Sequence, residues 1–322
     1  MFPDYYNLSV LLDENQKLIE ESTSAWVNQF VRPVIDSAFN DSKSLSLVKE
    51  LAELGAFGLI IPEKYGGLGF DFVSFGLMMK ELEKGDSSVR VVSSIQTSLV
   101  MYSIYKYGNE EQKRKYLPKL ASGEILGSFA MSEPSHGSDI SNMRTKFEIR
   151  DEKIVILGSK LWIGNASNAD ISIVWAKNSN DKVQAIVVET KNITNFKSTL
   201  IEGKMSFRSS HTGELFFDSS IVSKDQLLQK TKSIKDAYEC LNIGRYAVAW
   251  GSLGIAEECY NIALKYSKER EQFGKPIAGK QLIQKKLVDM ITEITKSQLI
   301  CYRLGKIMDS GKIDYKQFFL NP

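Results

Sequence analysis

The sequence predicts an α+β protein in three stretches: an N-terminal all-α domain, a middle antiparallel β-domain of barrel or sandwich type, and a C-terminal helical bundle that looks incomplete. Three observations carry this. Apolar residues recur at i, i+3/i+4 spacing from about Leu8 to Ser122, short β-rich runs replace that period between about Ile125 and Val222, and the helical period returns after Ser223. The expected domains are therefore 1–122, 123–225 and 226–322.

In the first stretch Leu11, Leu18, Trp26 and Phe30 open the helical pattern, and Leu47–Leu54, Phe75–Leu82 and Ser98–Tyr107 continue it. Breakers separate them at Pro62-Glu63-Lys64-Tyr65-Gly66-Gly67 and Lys84-Gly85-Asp86. The middle stretch reads as strands at Lys153–Leu157, Ile171–Trp175, Val183–Val188 and Glu214–Phe217, bounded by Gly/Asn/Asp/Ser clusters. The last opens on the almost entirely apolar Tyr246–Ile255 and continues with Ile283, Leu287, Met290, Ile291 and Ile294 on one face of a long helix. Gly311-Lys312-Ile313-Asp314 reads as a turn into another helix, for which Tyr315–Pro322 are too few, so a neighbour is expected to cover the bundle.

Composition excludes several classes of function. The 322 residues suit about two domains. With 41 basic and 39 acidic side chains the net charge is +2, leaving no field to hold nucleic acid or an anionic membrane. The apolar runs fall short of the ~20 residues of a bilayer span. Met1–Asp13 lacks the layout of a secretory signal, which places the chain in the cytoplasm, or in the mitochondrial matrix of a eukaryote. Cys240, Cys259 and Cys301 read as reduced core thiols, and with His136 and His211 as the two histidines no metal site is expected.

The chemistry-bearing segments are few. Phe129-Ala130-Met131-Ser132-Glu133-Pro134-Ser135-His136-Gly137-Ser138-Asp139 joins an apolar strand end to a Pro/Gly/Ser turn, which can offer N–H groups and hydroxyls to a phosphate or a heteroaromatic ring. Taken alone it is more simply a turn. Lys160-Leu161-Trp162-Ile163-Gly164-Asn165 places an indole beside a Gly-Asn turn, where it can wall a flat cofactor or serve as core. Arg245, and Arg270 within Arg270-Glu271-Gln272-Phe273-Gly274-Lys275-Pro276 ahead of Gln281, can grip a diphosphate or stand exposed at helix ends. Neither a Gly-x-Gly-x-x-Gly element nor a Walker loop is present.

In this order the segments resemble the acyl-CoA dehydrogenase family. Tyr107-Gly108, Glu110-Glu111-Gln112, Lys115-Tyr116-Leu117-Pro118, Ser132-Glu133-Pro134, Trp162-Ile163 and Arg270 through Gln281 carry the resemblance. Arg245 through Gly251, Gln281 through Leu287 and Asp289 through Ile294 are most similar to glutaryl-CoA dehydrogenase. The resemblance implies FAD, with Phe129, Met131 and Ser132 along the flavin ring, Ser138 near the pyrophosphate and the pantetheine arm, and Trp162 on the face away from substrate. Gly164 stands where the family carries a Thr whose hydroxyl meets the flavin. Arg270, Phe273 and Gln281 of an adjacent subunit would hold the ADP portion of the cofactor, which makes a homotetramer the expected assembly. Asn242 and Arg245 would face CoA, and Arg90, helped by Ser94 and held by Glu83, would bind the distal carboxylate of glutaryl-CoA. The bland alternative for Arg90 is an ion pair with Glu83 or Asp86, and Val91 replaces a Ser that assists in glutaryl-CoA dehydrogenases.

The implied reaction takes the α-proton of a thioester to a Glu carboxylate while the β-hydrogen leaves as hydride, which requires both a base and an oxyanion site. The resemblance places that Glu in a Tyr-Glu-Gly-Thr segment expected beyond Pro322, and the family's alternative position for the base is Gly244 here. No catalytic base is therefore assigned, and this polypeptide is expected to be inactive as a truncated enzyme. Two other readings stand beside that one: a non-catalytic flavin or acyl-CoA binding protein, and a structural subunit on the same scaffold. Electron-transfer flavoprotein is the electron acceptor the resemblance implies.

Overall fold

The computed structural model describes residues 3–35, 47–191 and 193–314. They fall into two compact units: the described parts of Met1–Pro33, Asp71–Ser87 and Arg245–Pro322, and those of Val34–Phe70 and Ser88–Gly244. Tyr315–Pro322, where the sequence suggested the start of another helix, lie outside the described residues.

The first unit is helical. Helix α1 (Glu14–Trp26) starts at a reciprocal cap, the Asp13 carboxylate accepting the Gln16 N–H at 2.9 Å while Gln16 Oε1 accepts the Asp13 N–H at 3.1 Å. Gln16 Nε2 also donates to Asp71 Oδ2 at 2.7 Å, next to the start of the long helix Phe72–Gly85, whose first N–H groups are met by Asp71 and Asp309. A Cβ on Gly76 would lie 2.3 Å from Trp250 Cε2, so the indole rests on bare helix backbone. Lys80, which is buried, and Lys84, which is half-buried, lie among Glu20, Glu81 and Glu257. The two C-terminal helices, Ile234–Glu269 and Gln281–Asp309, are joined by a small hairpin whose tip, Phe273-Gly274, has φ of 56° and 70°.

The second unit joins helices to the β-domain. The unit holds helix Val48–Glu53, the continuous helical run from Ser87 through Tyr107 and helix Glu110–Ala121; residues of the last two pack with β-domain residues such as Trp175 and Val187 around one core. The strands are β1 (Gly127–Ala130), β2 (Lys146–Arg150), β3 (Lys153–Ile163), β4 (Ile171–Lys177), β5 (Val183–Glu189), β6 (Phe196–Leu200) and β7 (Gly213–Ser223). Their order is β1-β4-β2-β3-β7-β6, with β5 on β4. Pairing is antiparallel except that β1 and β2 run parallel to β4, because the chain crosses from β1 to β4 through the β2–β3 hairpin. A second core of Phe147, Ile156, Val174, Val188 and Phe217 fills the domain's interior.

The structure corrects the elements in instructive places. β3 and β7 each run to 11 residues, where the sequence suggested five and four. Register shifts after Ile156 and Lys160 break the alternation without ending the strand. β6 (Phe-Lys-Ser-Thr-Leu) carries too little apolar character to be seen in the pattern. Cys240 and Cys301 are buried as expected, but Cys259 is exposed, because it lies on the outward face of its helix.

Candidate active site

β1 and β3 build one wall of the candidate site. β1 leads into Met131 and Ser132, and the Leu161 N–H of β3 donates to the Ser132 carbonyl at 2.9 Å. The Phe129 and Met131 side chains are buried, the Phe129 ring lying 6.0 Å from that of Trp175, so these two positions offer backbone to a ligand. Ser132 is half-buried, and its hydroxyl has no hydrogen-bond partner among the described residues. Trp162 is 62% exposed and holds φ at 64°, a left-handed conformation non-glycine residues seldom adopt. Ser138 is exposed on the loop beyond the Glu133–His136 turn.

A second group of candidates lies on helices. Arg90 and Ser94, each 5% exposed, stand one turn apart on the Ser87–Ser94 helix, which passes without a break into a π-helical segment, Ile95–Met101. Such π-turns are frequent at functional sites. This one is pinned: Gln96 donates to the Leu120 and Ile125 carbonyls at 2.9 and 3.0 Å and accepts from the Gly127 N–H at 2.8 Å, and Thr97 meets Ala56 and Gly58. Ser98 Oγ lies 3.5 Å from Ser94 Oγ. A Cβ added at Gly244 would lie 3.8 Å from Ser98 Oγ and 3.1 Å from Leu99 Cδ2, so the Ser94–Ser98 face looks toward Gly244. Asn242, half a turn earlier, is 8% exposed.

The remaining candidates lie in the first unit. Arg245, Arg270 and Gln281 are exposed, and Phe273 presents 93% of its surface at the hairpin tip, with Lys280 Nζ 5.5 Å from its ring centroid.

Three family models match the chain in order, described as acyl-CoA dehydrogenase N-terminal domain over 13–124, middle domain over 128–220 and C-terminal domain over 234–318. Glutaryl-CoA dehydrogenase of Desulfococcus multivorans is 34% identical over 312 residues, 94% of this chain and 80% of that protein. The chain belongs to the acyl-CoA dehydrogenase family. Mitochondrial 2-methylacyl-CoA dehydrogenase of Solanum tuberosum is 33% identical over 97% of this chain and 77% of its own length. The crystal structure of a glutaryl-CoA dehydrogenase from Mycobacterium smegmatis in complex with FADH2 matches with a TM-score of 0.95 at 34% identity, covering 98% of this chain and 81% of that one. The C-terminal domain, expected from the sequence to be incomplete, is matched over 234–318.

Set in the acyl-CoA dehydrogenase frame, two features escaped the sequence reading. The first lies at the position where the resemblance puts a Thr: a Cβ at Gly164 would lie 2.3 Å from Ile95 Cδ1, so the Ile95 side chain would have to move to admit one. Ile95 sits beside Ser94 in sequence, but nothing in one dimension pairs it with residue 164. The second is the buried pair Lys160–Glu133. Both residues lie inside motifs the sequence singled out, and a Lys and a Glu within apolar and turn sequence were the available signal.

Proposed function

We propose that this acyl-CoA dehydrogenase is of the glutaryl-CoA dehydrogenase type, binding FAD and a dicarboxylyl-CoA thioester. The observation that carries the reading is Arg90, a guanidinium 5% exposed with Ser94 one turn away, at the position where the resemblance puts the distal-carboxylate arginine. A bidentate guanidinium binds carboxylate more strongly than a neutral donor does. The two glutaryl-CoA dehydrogenases named above support this reading, and the 2-methylacyl-CoA enzyme names the competing substrate class.

The residues fit FAD. An exposed indole and a hydroxyl without a described partner, joined through the Leu161–Ser132 hydrogen bond, make an aromatic face and a polar edge side by side. Bound there, FAD would supply the hydride acceptor. Trp162 would stack on the ring and Ser132 would hydrogen-bond its edge, while Arg90 and Ser94 orient the acyl chain and Asn242, Arg245 and Ser138 hold CoA. Arg270, Phe273 and Gln281 would reach the cofactor of a second copy in a homotetramer, a reading supported by the exposure of Phe273. Electron-transfer flavoprotein is the proposed acceptor of the electrons.

Within these residues the family's helical position for the base is Gly244, which cannot take a proton. The test is calorimetric titration of the FAD-supplemented protein with glutaryl-CoA and butyryl-CoA. Arg90→Ala is expected to weaken glutaryl-CoA at least tenfold and leave butyryl-CoA nearly unchanged, and an equal loss for both removes the carboxylate role.

A further inference from the structure

We infer that the buried pair Lys160–Glu133 is a positioning device for the cofactor, locking the Ser132 loop to the Trp162 strand end so that both face one flavin. The inference rests on the reading that these two residues contact FAD.

Lys160 is fully buried and Glu133 is 5% exposed. Lys160 Nζ donates to the Met131 carbonyl at 3.0 Å and to Glu133 Oε1 at 3.0 Å. The Glu133 carboxylate also accepts the Arg144 N–H at 2.6 Å and the Thr145 N–H at 2.9 Å, on the approach to β2. Its backbone closes a tight turn, exchanging hydrogen bonds of 3.0 and 3.2 Å with His136, whose Nδ1 lies 3.7 Å from Glu133 Oε2. One ion pair thus ties together the end of β1, the turn, the entry to β2 and the end of β3. The residues it ties are the neighbours of the proposed flavin contacts: Met131 and Glu133 flank Ser132, and Lys160 precedes Leu161 and Trp162. The Leu161–Ser132 hydrogen bond lies between the two walls.

Burying two charges this completely is a poor way to gain stability, since a well-packed apolar pair serves as well or better. What it provides is direction, because three donors meet one carboxylate in a single geometry. Burial pulls the Lys160 ammonium down to about 8 and Glu133 works against that fall, so each partner keeps the other charged. Trp162, whose φ of 64° is rare for a non-glycine residue, follows Lys160 by two positions.

The experiment compares Lys160→Met, Glu133→Gln and the neutral pair Glu133→Gln/Lys160→Met with the unaltered chain. It measures FAD affinity by fluorescence titration, the visible spectrum and midpoint potential of the bound flavin, and folding by circular dichroism and urea unfolding. The neutral pair leaves no lone buried charge and is expected to fold. It is expected to bind FAD about tenfold more weakly and to shift the flavin band and potential. Neutral-pair protein that folds with unchanged FAD affinity, spectrum and potential overturns the inference. So does a neutral pair that cannot fold, because the ion pair would then serve the fold itself. Trp162→Ala separates the underlying reading. If it leaves FAD binding intact, or if the unaltered chain binds no FAD, the flavin assignment fails and the inference with it; if it weakens FAD while the folded neutral pair does not, the inference alone fails.

Discussion

Two lysines face three carboxylates inside the helical unit, and that imbalance makes a prediction that simple pair counting would not. Lys80 Nζ contacts Glu20, lies 3.4 Å from Glu81 and 3.8 Å from Glu257, and Lys84 Nζ lies 2.6 Å from Glu81 and 2.7 Å from Glu257. Gln298 donates to Glu257 at 2.9 Å, so α1, the Phe72–Gly85 helix and both C-terminal helices share one network. At an effective dielectric of about 20, the Lys84–Glu257 attraction is about 6 kcal/mol before desolvation is counted. Neutralising Glu257 leaves two cations against two carboxylates, whereas neutralising Lys80 leaves one cation against three. Lys80→Met is therefore expected to cost about 3–5 kcal/mol, as for a buried pair broken on one side. Glu257→Gln, which keeps an amide oxygen for Lys84, should cost about 1–2 kcal/mol. A cavity of about 630 Å³ borders the network and admits water, which favours the lower end of each range. Urea unfolding at pH 7 measures both, and Glu257→Gln costing as much as Lys80→Met would refute the charge argument. The pH dependence supplies an independent check. Burial alone would push the Glu257 carboxyl up, but Lys80 and Lys84 outweigh it and hold it below its ordinary value of 4.5. Its contribution is thus complete above about pH 4.5 and is lost as pH falls through the folded value, so the gap between the unaltered chain and Glu257→Gln should close on acidification.

Two further sets of substitutions test packing in and against the β-domain. Gly164→Thr, which restores the family's usual residue, drives its Cβ into Ile95 and is expected to cost about 1–3 kcal/mol; Ile95→Ala should recover most of that in the double variant, and additive costs in thermal melts would show that the two do not share the space. Ser128 and Ser172 are paired across β1 and β4, and both hydroxyls are buried with no hydrogen-bond partner among the described residues. Ser128→Ala and Ser172→Ala should each be neutral or raise stability by up to about 1 kcal/mol, and a loss above that size in urea unfolding would mean the hydroxyls have partners after all.

The helices were legible because each carries its own evidence. The Phe75–Leu82 periodicity lies inside the observed Phe72–Gly85 helix, and the apolar Tyr246–Ile255 lies inside Ile234–Glu269. The β-domain was legible where strands are doubly buried or, as at Lys153–Leu157 and Glu214–Phe217, alternate buried with more exposed residues. Ile171–Trp175 was visible because every residue of it is buried, while β2 (Lys-Phe-Glu-Ile-Arg), buried at Phe147 alone, was not. The π-turn at Ile95–Met101 has no sequence signature, since its stability comes from Gln96 and Thr97 bonding to backbone far along the chain.

The candidate site shows the same division in sharper form. The family resemblance singles out Ser132, Trp162, Arg90 and Gly244, each from its neighbours in the chain. What it could not convey is compensation between segments. Gly164 reads in one dimension as a lost hydroxyl, yet in three it is a residue whose added Cβ would meet Ile95, 69 positions earlier. Lys160 reads as an unremarkable charge before a tryptophan, yet its burial makes it the tie between two walls. Residues in contact do not act additively, so only paired substitutions, Gly164 with Ile95 and Lys160 with Glu133, isolate what each pair contributes.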